Sequence, residues 1–124
     1  MKYVVLIYSN PMSRQLWDSL SGAERAEGLA YYAGLAQTLA ESGELIVTEA
    51  LAGPDKAKGV LVYEGITTTT DGPFAEAKEH LAGFFLLDCE SMDRAIEIAS
   101  EVPEAEYGGL VEVRPVRALS DFDV

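Results

Sequence analysis

The sequence predicts an α+β fold in which a β-α-β unit, a β-hairpin and a second β-α-β unit follow one another along 124 residues. Three observations carry that expectation. The runs at 2–8 and 81–88 are apolar on both faces, as strands covered on both sides are. The segments 22–42 and 92–102 combine helical periodicity with capping signals. Stretches rich in β-formers at 44–50, 59–64, 66–70 and 110–116 fill the remaining places. This order is the ferredoxin-like split βαβ plan with an inserted β-hairpin. Two helices cover only one face of such a sheet. The other face carries Val, Ile, Leu and Phe, so a homodimer with sheets packed face to face, a dimeric αβ barrel, is the economical way to bury it.

The first strand, Met1 to Tyr8, has one positive charge and no small-residue cleavage site, and Ser9-Asn10-Pro11 follows at once. That pattern fits a buried strand better than a signal peptide. Residues 9–20 read as a loop, with Pro11 as a breaker and Trp17 and Leu20 as anchors. Ser21 and Glu24 match a capping box, and Leu29, Tyr32, Ala33, Ala36, Leu39 and Ala40 fall on one face of the helix they open. Gly43 stops it. A strand at 44–50 precedes the loop Gly53-Pro54-Asp55-Lys56. The next two strands meet at Glu64-Gly65, a tight hairpin turn. After the strand Leu81–Asp88, Ser91 caps a second helix with Asp93 in its first turn. Met92, Ala95, Ile96, Ala99 and Val102 mark its apolar face, and Pro103 ends it. In the last strand Pro115 lacks an amide donor, which points to a strand end or an edge. One domain over 1–117 is expected, followed by an acidic, loose tail at 118–124.

Composition narrows the function. A net charge of −12 repels phosphate backbones and anionic lipid, so neither nucleic acid nor membrane is an expected partner. No apolar run approaches the roughly 20 residues of a membrane helix, and a cytoplasmic location is expected. Cys89 is the only cysteine and His80 the only histidine, which excludes an intrachain disulfide, a thiolate cluster and a two-histidine metal site within one chain. Asp71, Glu76, Glu79 and His80 could supply three metal ligands, but their spacing matches no metal motif, and no metal or cofactor is expected.

The candidate site is the stretch Thr70 to His80, where a turn, an aromatic and several ionisable groups come together. Asp71-Gly72-Pro73 is a turn by its chemistry: Asp accepts amides, Gly tolerates positive φ and Pro fixes φ. It either caps the loop or aims Asp71 into a cleft. In an extended chain Glu76, Lys78 and His80 share a face; in a helical turn Glu76 and His80 align. Both keep a carboxylate beside the imidazole, the pairing that general base catalysis uses. Asp71 and His80 are therefore the candidate proton-transfer groups, with Lys78 stabilising developing negative charge. Glu76, Glu79, Phe74, Tyr8 and Tyr32 are the candidate ligand-binding residues. The plainer alternative is a solvated charge run, with Phe74, Tyr8 and Tyr32 in the core and Lys78 locking the loop through Asp71, Glu76 or Glu79.

Residues 70–79, Thr-Asp-Gly-Pro-Phe-Ala-Glu-Ala-Lys-Glu, resemble the signature of the DGPF branch of the YCII-related domain family. The opening strand, Gly83 to Asp88, Ser91 to Ala95 and Val111 to Val116 resemble further family segments, so the likeness spans almost the whole chain. The resemblance implies a dimeric ferredoxin-like αβ barrel. It also implies two functional classes. Relatives in the wider group are enzymes on small aromatic substrates, and some members of the branch accompany extracytoplasmic-function sigma factors. An enzyme doing acid–base chemistry on a small metabolite is one expectation; a small-molecule-binding or regulatory module tied to sigma-factor control is the other. The chain departs from the pattern in three places. The wider group often has a histidine in the first helix, where Tyr32 stands here, and Ala77 and Ala82 replace a common Thr and Gly.

Overall fold

The computed structural model describes residues 1–73 and 78–122. The order is β1 (Lys2–Ser9), α1 (Pro11–Ser19), α2 (Gly22–Glu41), β2 (Leu45–Ala50), β3 (Lys58–Tyr63), β4 (Ile66–Asp71), β5 (His80–Asp88), α3 (Met92–Ser100) and β6 (Leu110–Pro115). Strands β2-β5-β1-β6 form one antiparallel sheet, the ferredoxin-like order, and Pro115 lies on its edge strand. Strands β3 and β4 form a separate two-stranded sheet.

Alternation along the central strands sorts side chains to two faces. Val5, Ile7, Phe85 and Leu87 point one way and pack with Leu35 and Leu39 of α2 and with Ile98 and Ala99 of α3. Each fully buried aliphatic side chain there contributes about 1.5–3 kcal/mol. Tyr3, Cys89 and Ala95 form a smaller cluster beside them. On the opposite face Val4 pairs with Leu86 and Leu6 with Phe84, and all four are only half-buried. At Gly83 the backbone of β2 comes so close that a Cβ would stand 2.8 Å from the Glu49 carbonyl oxygen.

Residues 9–20 are not a loop. Asn10 accepts from the Ser13 amide and Ser13 caps in return, so a helix opens at Pro11. Proline at the first helical position has no bond to lose there. Trp17 sits on that helix, where it packs over Gly28 of α2. The capping box at Ser21 and Glu24 forms, and Gly43 ends α2 with φ +81°. The inward faces of α2 and α3 differ from expectation. Leu35 and Leu39 are buried on α2 while Leu29 is exposed, and Ile98 replaces Ile96 on α3. Small apolar residues surround α2 on all sides, so its sequence did not fix which stripe faces in. The tail holds a short turn, with the Arg117 guanidinium 4.0 Å from the Phe122 ring centroid and bonded to the Asp121 carbonyl.

Candidate functional site

The start of β5, Pro73 just after β4 and the loop at 51–57 meet around a cleft of about 320 Å³. Its walls are mostly apolar: Leu51, Ala52, Pro54, Ala57, Pro73 and Leu81. Two ionisable residues are among its lining, His80 and Lys56. Backbone bonds hold this geometry. The Gly72 amide donates to the Ala57 carbonyl at 2.8 Å, made possible by φ +77° at Gly72, and the Leu51 amide donates to the Ala82 carbonyl at 2.8 Å. The Asp-Gly-Pro turn thus clips the loop before β3 to the segment that leads into β5.

His80 lies opposite Ser9 in the β1–β5 register and is half-buried. Around it, the Asn10 side-chain amide reaches Glu79 Oε1 at 3.5 Å and donates to the Gly108 carbonyl at 2.9 Å. Arg14 donates to the Ser9 hydroxyl at 3.1 Å. The cap of α1 therefore stands at the same end of the sheet as His80.

The remaining sequence candidates do not converge on this cleft. The Asp71 carboxylate is exposed and pairs with Lys58 across the hairpin, so the ion pair at this position uses Lys58 where Lys78 was the expected cation. The register explains this, since Lys58 and Asp71 are direct cross-strand neighbours. Lys78 and Glu79 are exposed. Phe74 and Glu76 lie outside the described residues. Tyr8 is on the half-exposed sheet face, where its hydroxyl donates to Glu112 Oε1 at 3.3 Å; partial burial, then the Glu112 carboxylate, push its pKa up. Tyr32 is on the helix side and donates to the Glu104 carboxylate. Burial first, with Glu104 second, raises its phenol well above the ordinary range. The two tyrosines occupy opposite sides of the sheet.

Sequence reasoning missed Lys56 and the apolar wall at 51–57. Only the rigid Gly53-Pro54 pair hinted at a shaped loop there, and nothing local shows that it faces His80. Among the described residues no group of three or more His, Cys, Asp or Glu side chains is arranged to hold a metal ion.

Comparison with known proteins adds three findings. The model of the YCII-related domain matches residues 1–120. An uncharacterized protein of Rhizobium meliloti is 33% identical over 117 residues, which are 94% of this chain and 92% of that protein. Among solved structures, 5-chloro-2-hydroxyhydroquinone dehydrochlorinase (TftG) from Burkholderia phenoliruptrix AC1100, in complex with 2,5-dihydroxybenzoquinone, superposes with a TM-score of 0.52 at 17% identity, covering 99% of this chain and 100% of that one. At that identity the likeness speaks for the fold.

Proposed function

The chain belongs to the YCII-related domain family, and on that premise we propose that it is an enzyme doing acid–base chemistry on a small aromatic metabolite. The motif at 70–79 assigns it, in this reading, to the DGPF branch. The observation that carries the reading is His80 in the lining of an apolar cleft of about 320 Å³, with Lys56 in the same lining. An apolar cleft with few polar groups suits a ring carrying hydroxyls. A neutral imidazole takes the proton from a ring hydroxyl onto its free nitrogen, and the Lys56 ammonium stabilises the phenolate oxygen left behind. The structural neighbour, which acts on a hydroxyhydroquinone by its name, makes hydroxylated hydroquinones and quinones the first substrates to try. The working unit in this reading is a homodimer joined through the sheet face that bears Val4, Leu6, Phe84 and Leu86.

The test is turnover of such a panel, followed by ultraviolet absorbance, for the wild type and His80→Gln. Loss of about 100-fold or more in kcat with little change in Kd is expected. Equal turnover by the two proteins overturns the assignment. A second reading, ligand binding without chemistry, is favoured by one feature: Asp71 faces Lys58 and leaves His80 without a carboxylate in the described lining of the cleft. Saturable binding with no turnover by the wild type would establish that reading instead.

A further inference from the structure

The β3–β4 hairpin is the least covered part of the described fold. Every residue from 60 to 71 is exposed. Its cross-strand register divides it into two faces. Leu61, Tyr63 and Ile66 share one, and Val60 and Val62 share the other with the Lys58–Asp71 pair. Leu61, Tyr63 and Ile66 are 66%, 71% and 66% exposed. An isolated two-stranded ribbon is marginal in water. This one also lacks the charges within its strands that keep free edges from pairing: between Lys58 and Asp71 the only charged side chain is Glu64, at the turn. A ribbon so built needs a covering surface.

We propose that this hairpin is an intersubunit arm, whose Leu61–Tyr63–Ile66 face packs on a second copy of the chain and so completes the cleft of its own subunit. The proposal rests on the reading of the cleft and of the dimer given above. Three features select a second copy as the occupant. The first is area. Leu61, Tyr63 and Ile66 set three large apolar side chains, each about two-thirds exposed, on one face of the arm, and a stable interface takes about 800 Å² from each partner. The arm adds this apolar area to that of the half-buried sheet face. The second is charge. Two copies of a −12 chain repel one another except over charge-poor surface, and residues 58–71 carry one positive and two negative groups with the ends already paired. The third is continuity. The arm leaves from the loop after β2, an edge strand of the sheet whose open face is the proposed interface.

The consequence for the site follows from connectivity. Lys56 and Ala57 precede β3, Pro73 follows β4, and all three line the cleft. The Gly72–Ala57 bond closes the base of the arm at that wall. Seating the arm on a partner fixes both strands that end there, and with them the position of Lys56 relative to His80.

The experiment combines sedimentation velocity over a concentration series, hydrogen exchange of the hairpin amides and binding of 2,5-dihydroxybenzoquinone. It compares the wild type with Leu61→Glu/Tyr63→Glu. These side chains are exposed within one chain, so the variant keeps its fold, which far-ultraviolet circular dichroism checks; Leu61→Ala/Tyr63→Ala serves if the glutamates perturb folding. For the wild type we expect a dimer with amide protection over 58–71 that rises with protein concentration. For the variant we expect a dissociation constant raised about 100-fold, loss of that protection and quinone binding weakened about tenfold. A monomeric wild type at all concentrations overturns the proposal. So does a dimer with an unprotected hairpin, or a dissociation constant unchanged in the variant. A dissociated variant that binds the quinone as the wild type does overturns the coupling to the cleft. A wild type that binds no quinone yet shows the expected sedimentation and exchange sinks the substrate reading and leaves the arm standing.

Discussion

Arg94 holds the Glu44 carboxylate with two bonds, Nε to Oε2 and Nη2 to Oε1, each at 2.9 Å. The pair ties the first turn of α3 to the residue before β2, two elements 50 positions apart in sequence. Bidentate geometry with low exposure of Glu44 sets it apart from ordinary surface pairs. The bonds from Arg94 are the main reason that the Glu44 pKa lies below the usual carboxylate value. A depressed folded pKa adds stability above the unfolded value and loses it as pH falls through the folded one. Arg94→Met should therefore cost about 1–2 kcal/mol near neutral pH, with the gap to the wild type narrowing at acid pH, below the usual carboxylate range. Urea melts at both pH values read this directly; a gap that stays constant would assign the loss to packing of the arginine stem. The sequence shows both residues, but a pairing across 50 positions has no local signal.

At the level of elements, the close approach of β2 and β5 makes a sharp demand. A methyl at Gly83 would press on the Glu49 carbonyl at 2.8 Å, and backbone cannot swing aside as a side chain can. Gly83→Ala should destabilise the fold by about 1–3 kcal/mol and loosen β2 first. Native-state hydrogen exchange would show this as faster exchange over 45–50; unchanged protection there would refute the account. The elements also show what local chemistry reveals. Ser21 with Glu24, Gly43 and Glu64-Gly65 act through neighbours a few residues away, and all were readable. Glu64 and Gly65 both take positive φ, 49° and 77°, as the tight hairpin turn requires. Pro11 misled because the same residue breaks a helix interior and opens a helix at its first position. The faces of α2 and α3 depended on packing partners, which periodicity among alanines does not identify.

For the whole molecule, the order of strands and helices in the sequence was enough to give the ferredoxin-like sheet, because each strand and helix carries its own period. The cleft was half legible. His80 and the Asp-Gly-Pro turn stood out by composition, whereas Lys56 and its apolar neighbours enter only when the Gly72–Ala57 bond folds their loop across. The charge of −12 has a consequence for assembly. If two copies join through the apolar sheet face and arm, their net repulsion is screened by salt, so the dimer should tighten as NaCl rises from about 20 to about 200 mM. Sedimentation equilibrium measures it; a dimer that weakens with salt would mean that ion pairs, and not apolar contact, hold it. One corner of the molecule also lends itself to direct observation. Trp17 is the only indole in the chain, packed over Gly28 with the Arg25 guanidinium 5.9 Å from its ring centroid. Its helix begins at the cap whose amide reaches Glu79, the residue before His80. Tryptophan emission therefore comes from a single, known place, and the chain carries an unlabelled optical gauge of how α1 sits against α2.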